Sequence, residues 1–217
     1  MSCSANFGNC DSVDANGCER SLTTLTDCGG CGLACAPANA TGACGSGSCA
    51  IAMCAASYFD VDGLVSSGCE CLDDPSSNAC NTATPIVAPS GVITPGNSAV
   101  MPMTASGKIP LSGMVDWYTV QFTSTGAGAP HIDFMTNDLG AFVFDVFTSC
   151  AVAAGGTAGT CGGVEGSTNL TTWDFNDNCA APSCMTRTVP WPAQIWIRVH
   201  RTGAANSCVN YQLHVSA

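Results

Sequence analysis

The sequence predicts a mainly β protein in two parts: a small disulfide-rich repeat module, then an antiparallel β-sandwich. Three observations carry this expectation. Twelve of the 17 cysteines fall within the first 80 residues, a density that marks a cross-linked scaffold. The same stretch repeats itself at an offset of 51 residues. Beyond it, apolar and polar residues alternate at the two-residue period of half-buried strands, and no stretch holds a helical period for three turns.

Composition narrows the function classes before any motif is read. The net charge is −11 with only five basic residues, and the first 80 residues hold nine Asp or Glu against Arg20 alone. Phosphate recognition needs clustered Lys and Arg, so nucleic acid is excluded as the expected partner. The same sign disfavours an anionic membrane surface. No run approaches the ~18 apolar residues of a membrane-spanning helix. Disulfides persist in oxidising compartments, so the expected location is extracellular or cell-surface, reached by secretion. Met1-Ser-Cys-Ser is followed by no apolar export signal, and the expected precursor carries one upstream.

In the first part, Cys3-Ser-Ala-Asn-Phe7 matches Cys54-Ala-Ala-Ser-Tyr58, and Asp11 through Glu19 matches Asp62 through Glu70. The second copy departs where Cys10 becomes Val61, and it adds Cys71 and Cys80. Between the copies, Asp27-Cys-Gly-Gly-Cys-Gly-Leu-Ala-Cys35, Cys44 and Cys49 are spaced by small residues with little apolar periodicity. Such a segment cannot bury enough surface to fold without cross-links. Cys28-x2-Cys31 also has zinc-ligand spacing, but in a cysteine-dense extracellular chain structural bridging is the favoured reading.

The pattern Phe7-Gly-Asn-Cys-Asp11, Asn16-Gly-Cys-Glu19 and Leu25-Thr-Asp-Cys-Gly-Gly-Cys-Gly-Leu-Ala-Cys35 resembles the cysteine-rich repeats of secreted and cell-surface proteins of myxobacteria. The resemblance spans about residues 3–71 and implies location and style of scaffold rather than an activity.

Pro75, Pro85, Pro89 and Pro95 punctuate the next stretch. Proline removes ladder donors, so an extended connector or a peripheral strand is expected there. The expected division is 1–82 for the cysteine-rich region, 83–98 for the Pro-rich connector and 99–217 for the sandwich domain. The strands of that domain are read from Trp117 to Phe122, His131 to Met135, Ala141 to Phe147, Gln194 to His200, and Tyr211 to Val215. Gly, Asn and Pro separate them at intervals typical of a sandwich or barrel.

Leu111-Ser-Gly-Met-Val-Asp-Trp-Tyr-Thr-Val120, Phe142-Val-Phe-Asp-Val146, Ile195-Trp-Ile-Arg-Val199 and Tyr211-Gln-Leu-His-Val215 are together similar to the bacterial pre-peptidase C-terminal domain. That resemblance implies a jelly-roll-like β-sandwich with an accessory role in secretion, adhesion or polysaccharide binding. The Cys150–Cys184 region is an insertion relative to it. Within the insertion, Cys150 with Cys161 and Cys179 with Cys184 are the expected local bridges, which leaves Cys208 over from an odd total.

Three groups of residues are site candidates. Asp11, Asp14, Asn16 and Glu19 place oxygens at turn-compatible spacing for calcium, and Asp116, Asp174 and Asp177 are further loop carboxylates of the same kind. Calcium, the one cofactor considered, predicts a loss of thermal stability on chelation. Trp117, Trp173, Trp191 and Trp196 offer an aromatic platform for sugar rings or flat partners. His131, His200 and His214 fall on the polar phase of their strands, and antiparallel pairing of the last two strands would set His200 beside His214. No nucleophile elbow, zinc-protease helix or phosphate loop is present in the sequence, so no catalytic residues are assigned. The expected function is that of a non-catalytic extracellular structural or adhesion protein, such as a self-assembling filament subunit. The alternative is an accessory polysaccharide- or surface-binding module of a secreted hydrolase. The expected partners are therefore copies of itself or cell-surface polysaccharide and protein.

Overall fold

A computed structural model of the chain describes residues 2–86, 103–122, 131–147, 167–174 and 194–216. The chain forms two compact units. One comprises Met1–Asp73 with Asn206–Cys208, and the other Asp74–Ala205 with Val209–Ala217.

The first unit contains three two-stranded ladders. Strands β1 (Phe7–Gly8) and β2 (Arg20–Ser21) pair, as do β3 (Ala40–Gly45) with β4 (Ser48–Cys54) and β5 (Tyr58–Phe59) with β6 (Cys71–Leu72). The first and last are the same structure met twice, because each residue pair of one becomes that of the other on adding 51. Bridges Cys3–Cys18 and Cys54–Cys69 obey the same offset. Between them, β3 and β4 turn through Ser46 and Gly47, both at positive φ, the backbone that a two-residue hairpin of the right twist requires.

Sulfur forms the interior of this unit. Cys28, Cys35, Cys69 and Cys71 are buried, while Phe7, Leu25, Leu33, Met53 and Leu64 remain exposed. Cys10–Cys31, Cys28–Cys44 and Cys35–Cys49 complete the staples around Asp27. Cys208, expected to remain over, is instead bonded to Cys71 across 137 residues. Spacing could not reveal this bond, because residues 206–208 leave their neighbours in sequence to join the first unit. Cys80 is disulfide-bonded as well, and no described cysteine is free. Cys150, Cys161, Cys179 and Cys184 lie outside the described residues.

The second unit comprises β7 (Thr84–Pro85), β8 (Met103–Gly107), β9 (Val115–Gln121), β10 (His131–Asn137), β11 (Phe142–Phe147), β12 (Ser167–Leu170), β13 (Thr172–Asp174), β14 (Gln194–Arg201) and β15 (Tyr211–Ser216). One sheet has the order β13-β10-β15-β8 and the other β12-β11-β14-β9-β7. The pairs β11·β12, β10·β13, β9·β14 and β8·β15 are nested one outside another, as in a long hairpin rolled up so that successive pairs alternate between sheets. This is the jelly-roll arrangement of an antiparallel sandwich. β7 adds a short parallel edge on β9, a position where Pro85 forfeits no interior ladder donor.

The inner phases of the two sheets meet in one core. Ile132, Tyr211, Leu213 and Val215 come from the smaller sheet, and Tyr118, Val120, Phe144, Ile195, Ile197 and Val199 from the larger. Burial of these side chains drives the unit's folding, at roughly 25 cal/mol per Å² of apolar surface removed from water. Nested pairing also means that the condition for bringing His200 beside His214, pairing of β14 with β15, is not met. They belong to different sheets, so His200 and His214 are not paired.

Candidate functional site

Strand β11 is buried on both faces along its whole length. Phe142, Phe144 and Val146 point into the core, so Val143, Asp145 and Phe147 face outward from the larger sheet. Register sets Asp145 opposite Arg198, which lies opposite Trp117. In the next row Phe147 lies opposite Trp196, which lies opposite Thr119. Two aromatic residues proposed for binding, Trp117 and Trp196, thus share one sheet face with Arg198.

Asp145 anchors this face. Its Oδ2 accepts hydrogen bonds from Arg198 Nε at 2.8 Å and Nη2 at 2.5 Å, and its Oδ1 accepts one from the Asn169 N–H at 2.8 Å. His200 Nε2 stands 3.2 Å from the same Oδ2, off the axis of a directed hydrogen bond. Burial pushes the Asp145 carboxyl up, but His200, the Asn169 N–H and Arg198 outweigh it and hold the group below the usual carboxylate range. The carboxylate is therefore kept ionised to fix the guanidinium. Arg198 Cζ lies 5.8 Å from the Trp117 ring centroid and 5.5 Å from that of Phe147, within cation–π range. Trp117 and Phe147 are 5.3 Å apart at 38°. Asp145 and Phe147 are fully buried, while Trp117, Trp196, Arg198 and His200 keep partial exposure.

Aromatic rings next to a fixed, planar hydrogen-bond donor are a combination that can hold sugar rings or other flat, hydroxylated groups. The charge of Asp145 is committed to Arg198.

The other tryptophans fall elsewhere. Trp173 is a core residue on β13, on the opposite sheet, and is corrected as a surface candidate because its strand phase turns it inward. Trp191 lies outside the described residues, as does Asp177.

Asp116 is not a loop carboxylate. It sits in β9, is 2% exposed, and accepts a hydrogen bond of 2.5 Å from Tyr211 Oη. That hydroxyl meets Tyr118 Oη at 2.8 Å, which in turn meets Ser76 Oγ at 2.8 Å. Burial pushes both tyrosines far above their usual range, so both hydroxyls stay protonated. The chain ends at a cleft of roughly 330 Å³ between Pro75, Ser76, Thr84, Ile86, Thr104 and Tyr118.

In the first unit the calcium candidates are occupied by their own loop. Asp11 accepts from the Val13 N–H at 2.9 Å and from Asn16 Nδ2 at 2.7 Å, which lower its carboxyl in that order. Glu19 Oε1 accepts from the Cys10 N–H at 2.8 Å, and Asp14 from Asn9. Among the described residues, the one group of carboxylates close enough to share an ion is Asp60, Asp62 and Glu70 in the second copy, with oxygens within 4.8 Å of one another. The first copy carries Asn9 where the second carries Asp60.

On the outer face of the smaller sheet, His214 Nδ1 meets Asp133 Oδ1 at 2.7 Å, and His131 Nε2 lies 3.7 Å from Asp133 Oδ2. Neither this pair nor Asp145 with Arg198 is legible from the sequence, because each depends on register between strands far apart in the chain.

No family model matches the chain, and neither curated proteins nor solved structures yield a match to it.

Proposed function

We propose that the chain is a non-catalytic extracellular adhesion protein that holds polysaccharide on the outer face of the larger sheet of its sandwich. The observation that carries this reading is the Trp117–Arg198–Trp196 surface, its guanidinium fixed by the buried Asp145. The disulfide content fits an extracellular or otherwise oxidising environment. The likeness of the sandwich strands to the pre-peptidase C-terminal domain also supports an accessory, surface-binding role, whether the protein acts alone or as a module of a secreted hydrolase.

Affinity electrophoresis through gels containing bacterial capsular and cell-wall polysaccharides tests the proposal. The expected result is retardation by at least one polymer, weakened about tenfold or more in Trp196→Ala or Trp117→Ala while the melting transition stays cooperative. Retardation by none of them, or retardation indifferent to both substitutions, counts against it.

One observation favours a second reading, self-assembly. Among the described strands, β8 pairs with β15 alone and ends its sheet, an edge position at which chains can pair. Light scattering and negative-stain microscopy of the unreduced protein separate the two: regular polymers favour a filament subunit, and monomers of about 22 kDa leave the adhesion reading.

A further inference from the structure

The two copies of the repeat loop match in bonding as well as in sequence. Each is closed by the same disulfide, Cys3–Cys18 or Cys54–Cys69. In each, the first Asp caps a turn two residues on, Asp11 to the Val13 N–H and Asp62 to the Leu64 N–H. In each, a Glu accepts from a backbone N–H nine residues earlier, Glu19 from Cys10 and Glu70 from Val61. Positive φ recurs at Asn6 and Ser57, at Ser12 and Gly63, and at Gly17 and Gly68.

One face of this loop differs between the copies. In the second copy it is covered by the Ala38–Asn39 corner of the first. The Cys69 N–H donates to Ala38 O at 2.9 Å, Asn39 Nδ2 donates to Cys69 O at 3.1 Å, and the Ala55 N–H donates to Asn39 O at 2.7 Å. The backbones are so close that a Cβ on Gly68 would stand 2.3 Å from Ala38 O. Cys69 is fully buried as a result.

In the first copy the same face is bare. Subtracting 51 gives Ser4, Gly17 and Cys18. Among the described residues, the Ser4 N–H, the Cys18 N–H and the Cys18 carbonyl make no hydrogen bond. A Cβ on Gly17 would meet nothing within 4 Å. Cys18 is half-buried and Ser4 exposed.

We propose that the Ser4–Gly17–Cys18 face is a docking face for the Ala38–Asn39 corner of a further repeat of the same kind, joined in tandem ahead of Cys3. The joint inside the chain shows what the face receives: two backbone donors and one carbonyl acceptor take a carbonyl, an Asn side-chain amide and a second carbonyl, against a glycine that admits close backbone approach. A second copy of this chain does not supply that corner, because its own Cys69 already covers it. The inference is independent of what the sandwich binds.

The test is a full chain with a second copy of residues 3–53 placed ahead of Cys3, preserving the 51-residue spacing, followed by residue-resolved amide hydrogen exchange. In the unextended chain the Cys18 amide is expected to exchange faster than that of Cys69. In the extended chain it slows by roughly tenfold or more toward the Cys69 rate, and Asn39→Ala in the added copy reverses part of the slowing. The proposal is overturned if Cys18 is already as protected as Cys69 in the unextended chain. It is also overturned if the added copy leaves Cys18 exchange unchanged, or is accommodated only with loss of protection at Cys69.

Discussion

Asp145 shows how much of this protein's chemistry rests on single cross-strand placements. Its carboxyl lies below the usual range in the folded state, so it contributes stability that is complete above the unfolded value of about 3.9 and disappears as pH falls through the lower folded value. The sandwich is therefore expected to lose melting temperature on acidification below about pH 4, and Asp145→Asn is expected to lose less over the same range. At neutral pH that substitution costs about 2–3 kcal/mol in urea melts, because it leaves the Arg198 charge with a weaker partner at a site only partly open to water. Gly107 is a steric counterpart. Its absent Cβ would sit 2.1 Å from Tyr211 Oη, inside a fully buried ring, so Gly107→Ala is expected to cost on the order of 3 kcal/mol by overpacking. A melting temperature unchanged by Gly107→Ala would show that the Tyr211 ring has room to move.

At the scale of elements, the offset of 51 residues makes the two repeat loops comparable in one molecule. Each disulfide closes a loop with a sequence separation of 15, worth about 3 kcal/mol in restricting the unfolded chain. Removing Cys54 and Cys69 as a pair of alanines is expected to release the joint at Ala38–Asn39. Removing Cys3 and Cys18 leaves that joint intact, and protease digestion distinguishes the two by where the first cleavage falls.

These equivalences were legible because identical letters recur at one spacing. So were β9, β14 and β15, where a buried residue alternates with a partly exposed one. β11 was legible as a strand, but burial of its polar phase was not, since Asp145 reads as surface until Arg198 is known to lie opposite. That β14 and β15 enter different sheets was not legible for a related reason: nothing local to a strand states which of two sheets it enters. The aromatic face was half legible, with Trp117 and Trp196 in phase with each other and Trp173 turned inward by its own register.

Considered whole, the molecule joins two answers to the problem of keeping a chain folded. The sandwich is held by apolar burial between its sheets, while the first unit has cysteines where a core would be. Under a strong reductant the first unit is expected to unfold while β9, β11 and β14 retain slow amide exchange. Simultaneous loss of both sets of protected amides would show that the sandwich also depends on its bridges.

The Cys71–Cys208 bond also has a mechanical meaning. Strands β7 to β14 all lie between those two positions in sequence. Tension applied through the two ends of the chain passes from Cys71 directly to Cys208, bypassing those strands and loading only what lies outside the bond, including β15. The sheltered span, a sequence separation of 137, amounts to roughly 480 Å of contour length at ~3.5 Å per residue, withheld from extension until the sulfurs part. A pull on the ends would then be carried by covalent chemistry, leaving β9, β11 and β14 unstretched.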